Sequence, residues 1–157
     1  MTTTVSDALP LAGRPGSPEH LAYLALQRLA ARQQYAAAEL LRAHDLSGPQ
    51  FNVLRILRGA GDAGLRCSEI GARLLVHDPD VTRLLDRLEK AGRVRRARDP
   101  HDRRVVISHL TDEGRAVLSA LDAPLTGLHA RQFAALSPER LALLGELLGE
   151  LTPEDHP

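Results

Sequence analysis

The chain has 157 residues, 43% of them hydrophobic and 25% charged, a composition typical of one folded domain, with room for a dimerising arm. No run reaches the ~18 apolar residues that a membrane span needs, and residues 1–18 lack the basic-then-apolar pattern of a secretory signal. The single cysteine excludes an intrachain disulfide and a cysteine-based zinc site. We therefore expect a cytoplasmic protein that does not enter a membrane.

Charge is unevenly distributed along the chain, although the formal net charge is zero. Residues 73–104 carry 10 basic and 6 acidic side chains, whereas residues 105–157 carry 3 basic and 8 acidic ones. The chain has only four aromatic residues, too few for a surface that stacks single-stranded nucleic acid. The basic segment favours a polyanionic partner.

Ser, Gly and Pro indicate where the terminal segments and the first two helices begin and end. Residues 1–17 are predicted to form a flexible arm, and the polar residues 152–157 a C-terminal tail. The run Ser17-Pro18-Glu19 is typical of a helix start and predicts a long helix to about Ala43. The run Ser47-Gly48-Pro49 predicts a second helix, which the glycines at positions 59, 61 and 64 should end.

A pair of shorter helices should follow. The first is predicted from about Cys67 to Leu75, and the second from about Pro79 to Ala91, ended by Gly92. The apolar residues of the second recur at i, i+3, i+4 and i+7, which indicates one buried stripe. These residues are Val81, Leu84, Leu85 and Leu88.

The pattern then changes to two short strands, predicted at residues 93–96 and 105–108, that form a hairpin with a charged tip. Thr111 should cap the next helix, and Pro124 should kink or break it. Ser137 should cap a last helix with a leucine stripe.

A helix directly followed by a basic hairpin is suited to duplex DNA. A helix fits the major groove, where Arg bonds guanine and Thr meets a thymine methyl group or a phosphate, and Arg at a hairpin tip can enter the minor groove. On the helix, the candidate DNA-contacting residues are Pro79, Asp80, Thr82, Arg83 and Arg87. On the hairpin, the candidates are Arg98, Arg103 and Arg104, and Asp99 and Asp102 are predicted to brace hairpin arginines through charge-assisted hydrogen bonds.

These residues also carry a family resemblance. The run 81–92 resembles the recognition helix of MarR-type winged helix-turn-helix regulators, and 99–104 resembles their wing. Residues 110–115 and 136–140 resemble the starts of the two helices that follow, so the resemblance extends over about residues 19–151. It implies a mainly α-helical fold with a small β-hairpin wing, in which 46–110 form the DNA-binding lobe.

The resemblance further implies a homodimer on a pseudo-palindromic duplex site, built through helices of residues 18–45 and 111–151. The helices at the two ends support dimerisation, since they carry more apolar surface than the small lobe can cover. Repression relieved by a small molecule or an oxidant is implied, with an effector pocket between the dimer helices and the lobe. Its suspected residues are Tyr23, Gln27, Phe51, Leu54 and Leu118.

One stretch departs from the family pattern. Residues 77–80 read His-Asp-Pro-Asp, with two acids where a hydroxyl cap and a basic residue are common. Acids beside the groove lower non-specific affinity, and an acid can accept from cytosine N4. The sequence therefore predicts an unusual base preference.

Other functions receive little support. No nucleophile elbow, phosphate-binding loop or zinc-hydrolase motif occurs, and no histidine pair has the i, i+4 spacing of a helical metal site, so neither an enzyme nor a cofactor is expected. Cys67 is expected to be a small buried hydrophobe rather than an oxidant sensor. The alternative is a winged-helix protein-interaction module without sequence-specific DNA binding, which would lack the steep salt dependence of a DNA binder.

Overall fold

The computed structural model describes residues 17–75, 80–100 and 102–151. Most of the predicted arm, the predicted tail and the candidate Pro79 lie outside the described residues. The described part is mainly helical with one small antiparallel sheet, which confirms the predicted fold class.

Six helices and three strands make up the described chain. The helices are α1 (Pro18–Arg42), α2 (Gly48–Ala60), α3 (Cys67–Ala72), α4 (Val81–Lys90), α5 (Asp112–Gln132) and α6 (Pro138–Leu151). The strands are β1 (Leu65–Arg66), β2 (Val94–Arg98) and β3 (Val106–Leu110), and a short 3₁₀ turn, Gly61–Ala63, lies between α2 and β1.

Side-chain caps confirm the predicted starts of three helices. Ser17, Ser47 and Thr111 each accept a hydrogen bond from the backbone N–H three residues on, which satisfies one of the first unpaired N–H groups of the helix. The side chain of Gln50 completes the box at α2 by accepting from the backbone N–H of Ser47 at 2.9 Å. Gly92, at φ 71°, lies in the turn that leads out of α4, as predicted.

The sheet has three strands in the order β1-β3-β2, whereas the sequence predicted only two strands. In the hairpin, Val94 pairs with Leu110 and Arg98 with Val106, so both strands differ by one or two residues from the predicted bounds. The missed strand, β1, pairs Leu65 with Ser108 on the other side of β3. A strand of two residues shows no alternation of polar and apolar residues, so its sequence carries no signal.

One helix end was predicted wrongly, and the predicted break at Pro124 does not occur. Helix α3 ends at Ala72, before the predicted Leu75, whose side chain is 82% exposed. Helix α5 runs unbroken through Pro124. Proline removes one helical hydrogen bond, but Leu121 and Leu125 on either side are both buried, and their packing favours a continuous helix over the break.

The core lies between the helix-turn-helix elements and the first half of α5. The predicted stripe of α4 is buried, as expected. It packs in one cluster with Val53, Leu54, Leu57, Ile70, Val94, Leu110, Leu118 and Leu121.

The last helix contributes nothing to this core, because none of its residues is buried. Five of its leucines are exposed: Leu141, Leu143, Leu147, Leu148 and Leu151. An exposed apolar patch of this kind marks an interaction surface in a soluble protein. Within the described residues, no helix is both long and apolar enough to cross a membrane.

Candidate nucleic-acid interface

Helix α4 has one buried side and one exposed side, and the candidate residues lie on the exposed side. Because the apolar stripe turns inward, the side chains of Thr82, Arg83 and Arg87 remain exposed. Arg83 and Arg87 are four residues apart and therefore project from neighbouring turns of the same face. This places a hydroxyl and one guanidinium group in the first turn of the helix and a second guanidinium group in its last turn.

Asp80 begins this helix and contacts Arg83 in two ways. Its Oδ1 accepts a hydrogen bond from the Arg83 backbone N–H at 3.2 Å, which makes Asp80 the N-cap. Its Oδ2 lies 3.8 Å from Nη1 of the same arginine, an ion pair between side chains that are 53% and 69% exposed. The acid and the arginine therefore form one unit at the exposed end of α4.

Thr82 also contacts the other helix of the helix-turn-helix unit. Its Oγ1 lies 3.6 Å from Sγ of Cys67, the first residue of α3. The cysteine is only half-buried, less than the buried packing residue that the sequence predicted, and it packs against the edge of the core.

The hairpin tip is held by hydrogen bonds among the predicted wing residues. Asp102 accepts through Oδ1 from the backbone N–H of Arg104 at 3.0 Å, and Nε of Arg104 lies 3.4 Å from the same oxygen. Asp99 accepts from the backbone N–H of Asp102 at 3.3 Å. The Arg98 guanidinium donates to the carbonyl of Arg103 at 3.2 Å. The guanidinium groups of Arg103 and Arg104 lie on the exposed tip.

An interaction that the sequence did not predict joins the wing to α4. Nη2 of Arg96, in β2, lies 2.6 Å from Oδ1 of Asp86, and its guanidinium and backbone N–H also donate to Glu89. Hydrogen bonding from Arg96 lowers the pKa of Glu89, and the same bond raises the pKa of Arg96. Glu89 therefore stays ionised at neutral pH, and it shares the Arg96 guanidinium with the carboxylate of Asp86.

The sequence indicates that Asp86 and Glu89 have a basic partner but does not identify it. Asp86 and Glu89 lie three residues apart on one helix face, so a shared basic partner could be anticipated. The sequence does not tell which of the arginines in residues 93–104 is that partner.

The lobe is also tied to the flanking helices. The guanidinium of Arg93 donates to the carbonyls of His44 and Asp45 in the loop between α1 and α2, at 2.6 and 3.2 Å. The guanidinium of Arg58, in α2, donates to both carboxylate oxygens of Asp122, in α5, at 2.8 and 3.0 Å. Donation by Arg58 lowers the pKa of Asp122.

The five suspected effector residues differ in how accessible they are. Leu54 and Leu118 are fully buried in the core, and Phe51 is half-buried against it. Tyr23 and Gln27 are exposed on α1. Among the described residues, no group of three or more His, Cys, Asp or Glu side chains could hold a metal ion.

Comparison with known proteins gives a consistent result. The model of the MarR family matches residues 46–106. The HTH-type transcriptional regulator TtmR of Methylorubrum extorquens is 45% identical over 87 residues, which are 55% of this chain but only 44% of TtmR, so this chain spans less than half of that protein. The HTH-type transcriptional repressor MdtR of Bacillus subtilis is 30% identical over 128 residues, which cover 82% of this chain and 81% of MdtR.

Solved structures are similar over most of the chain. The crystal structure of a MarR transcription factor from Planctomyces limnophilus is 38% identical with a TM-score of 0.67, covering 88% of this chain and all of that chain. A mutant MarR from E. coli complexed with operator DNA is 29% identical with a TM-score of 0.73, covering 82% of this chain and 91% of that chain.

Proposed function

Because the chain belongs to the MarR family of helix-turn-helix transcriptional regulators, we propose that it binds a pseudo-palindromic site in duplex DNA as a homodimer. The observation that carries the proposal is the exposed face of α4, with Thr82, Arg83 and Arg87, tied through Arg96 to a basic wing. In each protomer α4 enters the major groove, and the wing arginines reach the adjacent minor groove. The operator DNA bound by the related E. coli protein supports this assignment.

The position of the exposed apolar surface indicates which residues bind DNA and which form the dimer. Residues 46–110 form the DNA-binding lobe, and residues 18–45 and 111–151 form the dimerisation region. Exposed leucines of α6 support this, since Leu143, Leu147 and Leu151 leave 53%, 48% and 71% of their surface exposed in the single chain. Two-fold symmetry then presents two basic lobes on one face of the dimer.

The proposed regulation is repression in the cytoplasm, with DNA binding and no enzymatic activity. Repression is supported by the relative MdtR, which is a transcriptional repressor. A small molecule releases the DNA by binding more tightly to a dimer whose two lobes are spaced too far apart or too close together for the two half-sites than to the DNA-binding dimer. Tyr23, Gln27 and Phe51 are accessible to such a molecule, whereas Leu54 and Leu118 meet it only after the core rearranges.

The experiment that tests the proposal is selection of bound duplexes from a random DNA pool at physiological salt. We expect enrichment of an inverted repeat with half-sites about one helical turn apart. Binding without enrichment, with an affinity that depends only weakly on salt, would contradict the proposal and favour a protein-interaction module.

Replacing Arg83 with alanine tests the placement of α4. The Arg83 guanidinium lies in the first turn on the exposed side of the helix. Its removal should therefore weaken binding to the selected site by about 1–3 kcal/mol and reduce the base preference at one position per half-site. Fluorescence anisotropy with the selected duplex and its single-base variants measures both effects. Unchanged binding by Arg83→Ala would show that α4 is wrongly placed.

Replacing Arg103 or Arg104 with alanine should have a different signature. These side chains lie at the exposed wing tip and are expected to meet the DNA backbone and groove, so all duplexes should be weakened to a similar degree. The slope of log Kd against log salt should fall by about 1 for each phosphate that the variant no longer neutralises. Arg42→Ala, which removes an arginine from a surface ion pair at the end of α1, is the control and should leave the slope unchanged.

A further inference from the structure

The geometry around the N-terminus of α4 points to a second role for Asp80: we infer that it positions the Arg83 guanidinium for guanine and suppresses pairing of that arginine with phosphate. The inference rests on the proposed function and deepens it. It concerns a residue that caps its helix but whose second carboxylate oxygen is turned toward a DNA-contacting side chain.

The two oxygens of Asp80 do different things. Oδ1 caps the helix by accepting from the Arg83 backbone, a role that any good N-cap residue fulfils. Oδ2 lies 3.8 Å from Nη1 of the same residue, too far for a hydrogen bond but within ion-pair distance. One carboxylate thus contacts both the backbone and the side chain of Arg83, and its hydrogen bond to the backbone fixes where the acid lies.

Because Asp80 approaches the guanidinium at Nη1, we assign the Nε and Nη2 edge to the contact with the base. That edge presents two parallel N–H groups, the pattern that matches O6 and N7 of guanine. An arginine whose side chain lies in one position before binding loses less rotamer freedom when it meets its base. The bidentate pairing with guanine is therefore favoured over pairings that need another side-chain position.

The negative charge of Asp80 has the opposite effect on binding without sequence preference. A lone arginine is attracted to any phosphate. When the arginine is paired with an acid, the carboxylate also approaches the phosphate and repels it, so the net attraction is weaker. Asp86, another acid of α4, is paired instead with Arg96 of β2, which it shares with Glu89. Asp80 is therefore the acid of α4 that is directed at a DNA-contacting side chain.

Asp80→Asn separates this role from the cap. Asparagine caps helices about as well as aspartate, so the helix and the thermal unfolding midpoint should be preserved while the charge is removed. We expect the preference for G·C at the position that Arg83 reads to fall about fivefold or more, and the affinity for a random-sequence duplex to rise. Asp80→Ala, which removes cap and charge together, should show the same fall in preference with a lower unfolding midpoint.

The measurement is a double-mutant cycle with the selected duplex and its variants at the position that Arg83→Ala relaxes. Wild type, Asp80→Asn, Arg83→Ala and the double variant are compared, and Glu113→Gln, which removes an exposed acid of α5, is the charge control. The inference requires that Asp80→Asn change the G·C preference only when Arg83 is present. An unchanged preference in Asp80→Asn, or an equal change in the Arg83→Ala background, would overturn it. A wild-type protein without any sequence preference would instead overturn the proposed function.

Discussion

Replacing Leu143 and Leu147 together with glutamate should convert the proposed dimer into a folded monomer that no longer binds operator DNA. The two side chains are 53% and 48% exposed in the single chain, so the substitutions leave its core intact. Burying a leucine contributes about 1.5–3 kcal/mol, and the double substitution removes two leucines from each protomer. A single lobe then binds one half-site alone, without the high effective concentration that the second lobe provides.

Sedimentation velocity, circular dichroism and anisotropy with operator DNA test this expectation. Leu75→Glu is the matched control, since Leu75 is also an exposed leucine but lies outside the helices proposed to dimerise. It should leave the sedimenting mass unchanged. A double glutamate variant that sediments as a dimer, or a monomer that binds the operator tightly, would refute the proposed architecture.

Gly114→Ala should lower the free energy of unfolding by about 2–3 kcal/mol. Gly114 is buried in the first turn of α5, and a Cβ there would clash with the carbonyl oxygen of Arg93 and lie 2.6 Å from Cδ1 of Leu110. That carbonyl also accepts from the backbone N–H of Thr111 at 3.1 Å, so it cannot move without breaking the start of the helix. The glycine permits the close approach of α5 to the beginning of β2.

Urea unfolding of Gly114→Ala and Gly59→Ala provides the comparison. Gly59 is also a helical glycine, but a Cβ there meets no atom within 4 Å. Alanine should therefore stabilise the chain at this position, by about 0.5–1 kcal/mol. Two variants with the same substitution and opposite effects would separate steric clash from helix propensity, and equal effects would contradict the clash.

Local sequence signals predicted those features that local physics determines. Ser17, Ser47 and Thr111 were identified as caps because a cap requires only the residue and the backbone that follows it. The exposure of Thr82, Arg83 and Arg87 followed from the helical period once the buried stripe of α4 was recognised. The candidate face of the site could therefore be predicted residue by residue.

Features that depend on distant parts of the chain could not be predicted. Strand β1 exists because Leu65 pairs with Ser108, far away in sequence. Helix α5 passes through Pro124 because its neighbours are buried against other elements, which propensity does not include. The partner of Asp86 and Glu89 is set by the packing of β2 on α4, and several arginines nearby would satisfy the charge equally well.

The hydrogen bonds between the hairpin and α4 have a consequence for the proposed complex with DNA. Strand β3 is paired on both sides, with β1 leading into the helix-turn-helix and β2 held to α4 by Arg96. The separation between the side chains in the major groove and those at the wing tip is therefore nearly constant. A duplex whose minor groove does not match that separation must be deformed to bind, and the deformation costs more when the duplex is stiff. Base pairs that no side chain touches should thus alter affinity through this deformation energy.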